Sequence, residues 1–171
     1  MRPDDFDRAR RGIPPLDPEI GHAAAACALA QEDRAALAAW LDHAARHDPW
    51  VVAVARATLA LARVFAAADR PDDRVGLGTR FAFGLGDRPV ESAVLAPWDE
   101  EAAPLGRIAL RTRLGIAAFG MREGADVGVP RHDGTIERLA IHGVLYQSST
   151  RPLPAVSPAN DNRGSDREVW P

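Results

Sequence analysis

TRFAFGLGDRPVESAVLAPWDEEAAPLGRIALRTRLGIAAFGMREGADVGVPRHDGTIERLAIHGVLYQ, residues 79–147, is the stretch that decides the fold. Apolar and polar residues alternate in it, as in half-buried strands, at 79–83, 90–96, 107–112, 126–130 and 135–146. HDG at 132–134 is typical of a hairpin turn. LGIAAFGM at 114–121 predicts one or two helical turns that Gly120 stops. Residues 75–147 are therefore predicted to form a small, mostly β domain with one short helix.

The preceding residues have helical periodicity. QEDRAALAAWLDHAARH, residues 31–47, places apolar side chains at helical spacing, and Asp48 and Pro49 then cap and open a second helix. That helix, 49–67, has apolar or small residues at steps of three and four, namely Val51, Val54, Thr58, Leu61 and Phe65. We expect a short antiparallel helical hairpin, a short coiled coil over 31–68, with a polar connector at 69–74.

The two ends of the chain have a different composition. Residues 1–16 are charged and rich in turn formers, which predicts a flexible extension, and 17–30 could form an Ala-rich helix. Residues 148–171 are rich in Pro, Ser and Asn and are predicted to be a disordered tail. Trp170 in that tail is either a docking residue or, more simply, a stray aromatic.

Composition restricts the function. The 171 residues carry a net charge of -3, and all 21 basic residues are Arg, a bias typical of a GC-rich genome. Such a charge disfavours direct binding to nucleic acid. Cys27 is the single cysteine, so no internal disulfide can form, and no signal-peptide core or long apolar run is visible. We expect a cytoplasmic protein that does not span a membrane.

The β segment resembles the C-terminal domain of Gre-type transcription factors, and most closely the Rnk group, regulators of nucleoside diphosphate kinase. The features follow in order: the opening strand with Val75 and Thr79, the acidic loop 97–101, GRIAL at 106–110, the short helix LGIAAFG at 114–120, the Gly124 turn and VLYQ at 144–147. The resemblance extends through the helices to residue 28. It implies an α+β fold, with the helical hairpin followed by a small FKBP-like antiparallel β domain.

The resemblance further implies docking on RNA polymerase near its secondary channel, with the hairpin pointing into that channel. Transcript-cleavage factors of this kind carry acidic residues at the hairpin tip that help hold a catalytic Mg²⁺. Here the tip reads AARHDPW at 44–50, and Asp48, a predicted helix cap, is its lone carboxylate. One carboxylate cannot supply the oxygen ligands that Mg²⁺ requires. We therefore expect a non-catalytic regulator. Two smaller departures are Arg113 and Ala125, where the family usually has Pro and Asp.

The candidate partner contacts are Arg46, His47, Asp48, Trp50, Trp98, Asp99, Glu100 and Glu101. The acidic loop 99–101 could meet a cation or a basic polymerase surface, or could simply be a solvated loop. His43 and His47 stand at i and i+4, which favours a surface pair over a metal site. No metal, cofactor or catalytic constellation is predicted.

Two alternatives to polymerase regulation remain open. Nucleoside diphosphate kinase, or another protein, could be the partner. An FKBP-like domain could also isomerise prolyl bonds, although the aromatic residues that would line its cleft are few, chiefly Phe81, Phe83, Trp98, Phe119 and Tyr146.

Overall fold

A computed structural model describes residues 23–66, 69, 71–98 and 106–147. Residues 23–26 form one helical turn. The elements that follow in chain order are β1 (Ala28–Ala30), α1 (Gln31–Leu41), a 3-10 turn (Ala44–Arg46), α2 (Pro49–Leu61), β2 (Arg63–Phe65), β3 (Thr79–Leu85), β4 (Glu91–Ala96), β5 (Arg107–Ala109), α3 (Arg113–Ala118), β6 (Asp126–Pro130) and β7 (Ile136–Gln147). The expected extension 1–16 and tail 148–171 lie outside the described residues. Residues 17–22, the first part of the possible Ala-rich helix, also lie outside them.

Five of the strands form one sheet in the order β5-β4-β3-β7-β6. The β4–β3, β3–β7 and β7–β6 pairs are antiparallel, as the alternating pattern predicts. β5 instead pairs parallel to β4, so the expectation of a purely antiparallel domain was wrong at this edge. The reason is the connection: ten residues separate β4 from β5, which is too many for the tight hairpin that joins antiparallel neighbours.

The sheet curls because its longest strand is irregular. Two register shifts interrupt the pairing of β7 with β3, one between Arg80 and Phe81 and the other between Ala82 and Phe83. Such bulges increase the local twist of a strand. The side of the curled sheet that carries Phe81 and Phe83 faces the core, and the short helix α3 lies there too.

Local signals fix both ends of α3, and the sequence predicts the one at Gly120. The Oγ1 of Thr112 accepts a hydrogen bond from the Gly115 amide at 3.0 Å, which caps the helix start. Gly120 has a φ of 77°, a left-handed conformation that stops the helix. Gly115 is also required by space, because a Cβ at this position would lie 2.2 Å from the carbonyl oxygen of Ala109.

The helical region differs from the prediction before α1 and after α2. Asp48 caps α2 and Pro49 opens it as expected, but α2 ends at Leu61 instead of Ala67. Residues 63–65 form β2, which pairs in parallel with β1. Residues 28–30, expected to be helical, are thus a strand, because Ala28 donates its amide to the Gly120 carbonyl and Arg63 donates to Cys27. Tertiary pairing outweighs the helix propensity of alanine here.

The two helices share one hydrophobic core with the sheet. Leu37 of α1 and Val51 of α2 are fully buried in the same cluster as Phe81 and Ile116. The predicted stripe of α2 is buried at Val51, Val54 and Thr58, whereas Leu61 is 45% exposed. The helices therefore do not form a free-standing coiled coil. At about 16 and 20 Å in length, they lie along the β domain.

Candidate functional site

Residues 44–50, the predicted hairpin tip, comprise the 3-10 turn, residues 47 and 48 and the start of α2, and they carry half of the predicted contact residues. Asp48 accepts a hydrogen bond from the Trp50 amide at 2.9 Å through Oδ1, the usual arrangement of a helix cap. Its Oδ2 accepts from the Nε of Arg113 at 2.7 Å. Both carboxylate oxygens are thus committed within the protein, and the lone acid of the tip is turned towards the β domain.

The electrostatics of Asp48 follow from these contacts. Partial burial acts to raise the pKa of its carboxyl group, but the hydrogen bonds from Arg113 and the Trp50 amide, with the Arg113 charge, hold that pKa below its usual range. Asp48 therefore remains ionised under physiological conditions and serves as a fixed structural anion. No group of three or more His, Cys, Asp and Glu side chains suited to a metal ion occurs in the described part of the chain.

Arg113 ties the tip to two other elements. It begins α3, and while its Nε binds Asp48, its terminal nitrogen donates to the Pro130 carbonyl at the end of β6, at 2.9 Å. About three quarters of each charged side chain is buried, with 23% of Arg113 and 25% of Asp48 exposed. The residue that departs from the family pattern therefore joins the tip, the short helix and the β6–β7 hairpin.

An aromatic stack forms a second connection between the helices and the β domain. Trp98, which follows β4, lies parallel to Trp40 of α1, with ring centroids 3.9 Å apart and planes 8° apart. The ring of His47 lies 5.0 Å from that of Trp40. Trp98 and the tip residue His47, distant in sequence, are thus both placed against Trp40.

The remaining predicted contact residues are distributed differently. Arg46 is exposed at the end of the 3-10 turn, and Trp50 is half-buried, packed against the core. Asp99, Glu100 and Glu101 lie outside the described residues. His43 and His47 flank the 3-10 turn and do not share one face of a helix, so the i, i+4 argument for a metal pair does not apply to them.

The aromatic residues considered for an isomerase cleft are mostly core residues. Phe81 and Phe119 have no exposed surface, and Phe83 is 5% exposed. Trp98 is covered on one face by Trp40, and Tyr146 is 60% exposed on the sheet. These five side chains therefore do not line a common cleft.

A groove next to the tip was not predicted. It encloses about 650 Å³ between α2, the start of α3, the β3–β4 turn and the β6–β7 hairpin. Among the described residues that line it are four arginines, Arg88, Arg111, Arg113 and Arg131, and we call it the arginine groove. Of these four, Arg113 alone stands out in the sequence, because every basic residue of the chain is Arg and a particular arginine is therefore not conspicuous. Spacing along the chain carries no signal for it.

The comparisons with known proteins concern the fold. A solved structure described as prokaryotic transcription elongation factor GreA/GreB from Nitrosomonas europaea aligns with a TM-score of 0.56 and 21% identity, over 70% of this chain and 98% of that chain. The α+β arrangement described above is thus the fold of a Gre-type factor. The sequence matches no known protein-family profile and no curated protein.

Two further solved structures are more distant. The GreA factor homologue 1 (Gfh1) of Thermus thermophilus aligns with a TM-score of 0.35 and 14% identity, over 84% of this chain and 91% of that one. A second structure, of the transcription factor Gfh1, aligns at 0.33 and 18%, over 82% and 90%. These scores are too low to bear on the architecture. No helix in the described ranges has the length and apolar character needed to cross a bilayer.

Proposed function

We propose that this chain is a transcription regulator of the Rnk type, which binds RNA polymerase near its secondary channel and does not stimulate transcript cleavage. The observation that carries the proposal is the fold, which matches a Gre-type elongation factor over 98% of that factor's length. Regulation through protein contact suits a chain with no catalytic constellation in its sequence.

The geometry of the tip supports the non-catalytic part of the proposal. A factor that delivers Mg²⁺ needs several carboxylate oxygens free at an accessible tip. Asp48, the one acid of residues 44–50, instead caps α2 and binds Arg113. The helices also pack into the core of the β domain and do not project from it. We infer that the protein acts by occupying a surface of polymerase.

Capture of purified core RNA polymerase by the tagged full-length chain tests the binding step. We expect stable co-elution, weakened by Arg46→Glu because Arg46 is exposed at the tip. Arg34→Glu is the matched control, since it makes the same charge change at an exposed position in α1. Folded protein that fails to retain polymerase would contradict the proposal.

A cleavage assay tests the second step. Polymerase backtracked on a defined template is incubated with stoichiometric chain, and the release of short 3′ RNA fragments is followed over time. We expect the rate to equal that of polymerase alone. Faster cleavage would show that the tip assembles a metal site in the complex.

A further inference from the structure

The helical turn 23–26 and helix α2 lead into neighbouring parallel strands. The turn is followed by β1 and α2 by β2, and in this pair Ala28 lies opposite Arg63. Arg63 also donates its amide to the Cys27 carbonyl at 3.1 Å. The turn and the end of α2 are therefore neighbours, and the two segments run towards the strands side by side.

A narrow cleft separates the turn from α2. On the α2 side it is lined by residues one helical turn apart, Trp50, Val54 and Thr58, and on the side of the turn by Ala23, Ala24 and Cys27. Ile116, Ala117 and Val127 also line it. The open space in the cleft is about 20 Å³, so the turn already packs closely on α2.

One side of the turn faces this cleft. Ala24 and Cys27, three positions apart, are 3% and 4% exposed, whereas Ala25 and Ala26 are exposed. In a helix, the residue four positions before Ala24 and seven before Cys27 falls on the same side. That residue is Ile20, so the buried side of the turn continues in the sequence with a large apolar side chain.

The length of α2 leaves room for this continuation. Measured back from Ala62, at the end of α2, Val54 lies about 12 Å and Trp50 about 18 Å away at 1.5 Å per residue. In a continuous helix Ile20 would lie about 10 Å back from Cys27, level with Val54 and next to Trp50. Trp50 is half-buried, so part of its surface can be covered by a further apolar side chain.

We propose that residues 17–22 continue the turn 23–26 as a helix along α2, and that Ile20 docks against Val54 and Trp50. Connectivity identifies the occupant, because a segment joined directly to the turn is present at a high effective concentration.

The sequence of the segment suits this role. Asp17 and Pro18 are the residue types favoured at an N-cap and at the first helical position. Gly21 weakens a helix, and a helix of about ten residues is marginal in water by itself. The docking of Ile20 therefore holds the segment in place.

The inference goes beyond the proposed function, and it gives Trp50, a candidate partner contact, a partner within the chain. Residue 16 would then lie near the start of α2. The charged residues 1–16 would consequently leave the fold beside the hairpin tip, whichever partner the tip binds.

Thiol labelling of full-length variants tests the docking. Ile20→Cys places a thiol on the docking side, and His22→Cys places one on the opposite side, between the positions of Ala25 and Ala26. We expect a disulfide reagent at pH 8 to label Ile20→Cys at least about tenfold more slowly than His22→Cys, because the docked side must first open. The buried Cys27 is common to both variants, and the wild type gives its rate.

A second substitution identifies the surface that protects the thiol. Trp50→Ala combined with Ile20→Cys should raise the labelling rate about fivefold. Leu61→Ala is the control, because it truncates an exposed side chain at the other end of α2. Trp50→Leu is a second variant should Trp50→Ala lower the melting temperature.

Three outcomes would overturn the inference. The first is equal labelling of Ile20→Cys and His22→Cys, and the second is protection that neither Trp50 variant reduces. The third is protection that disappears when the protein is diluted, since a second copy of the chain would then cover this part of α2.

Discussion

Separate removal of the charge and of the cap at Asp48 tests how the hairpin tip is held on the β domain. Asp48→Asn keeps a side chain that caps helices well and removes the ionic partner of Arg113. Asp48→Ala removes both functions. Arg113→Met keeps most of the aliphatic stem of the arginine and removes its hydrogen bonds to Asp48 and to the Pro130 carbonyl.

The magnitude follows from geometry and burial. Hydrogen bonds between charged groups contribute about 1.5–3 kcal/mol when buried. The pair is about one quarter exposed, so we expect a coupling free energy between positions 48 and 113 of about 1–2 kcal/mol. Asp48→Ala should cost about 1 kcal/mol more than Asp48→Asn, because it also loses the cap on the Trp50 amide.

Urea unfolding of the wild type, the single variants and the double variant Asp48→Asn/Arg113→Met measures the coupling as a double-mutant cycle. The pH dependence checks its origin. Because the folded pKa of Asp48 is lowered, its contribution to stability is complete above the unfolded pKa of about 3.9 and is lost as the pH falls through the folded value. Asp48→Asn should remove this acid-sensitive component. Additive single-variant effects would refute the conclusion that this ion pair holds the tip.

Two further predictions concern buried positions. Gly115→Ala should destabilise the fold by at least about 2 kcal/mol, because its Cβ would lie 2.2 Å from the Ala109 carbonyl oxygen. Gly143→Ala is the control, because its Cβ would meet only the Glu123 side chain, at 3.9 Å. Equal melting temperatures of the two variants would contradict the packing of α3. Burial raises the pKa of Cys27 to about 12, against a small opposing effect of the Arg74 charge. The native thiol should therefore react with a disulfide reagent at pH 8 about a thousandfold more slowly than in urea, and rapid native labelling would show that Cys27 is accessible. Since that pKa is raised, stability should fall as the pH rises above about 9 towards 12.

Much of the β domain was determined by local sequence. Alternating polarity depends only on the two-residue period of a strand and needs no knowledge of neighbouring elements. The sequence therefore predicted β6 at its observed bounds, and it predicted β3, β4 and β7 to within two residues at either end. Capping is equally local, because Asp48 and Thr112 bond to amides two and three residues ahead. The left-handed Gly120 likewise marked the end of α3.

Only the tertiary structure decided the pairing of β1 with β2, the parallel β5 and the position of the tip. Ala28 and Arg63 are extended because their amides donate hydrogen bonds to carbonyl groups distant in sequence. An alanine-rich composition cannot encode this effect. The contact of Asp48 with Arg113 and the arginine groove unite residues from 48 to 137. The sequence alone determined that the tip has one carboxylate. The fold determined that this carboxylate is bound within the protein, because a contact between side chains 65 positions apart depends on how the elements pack.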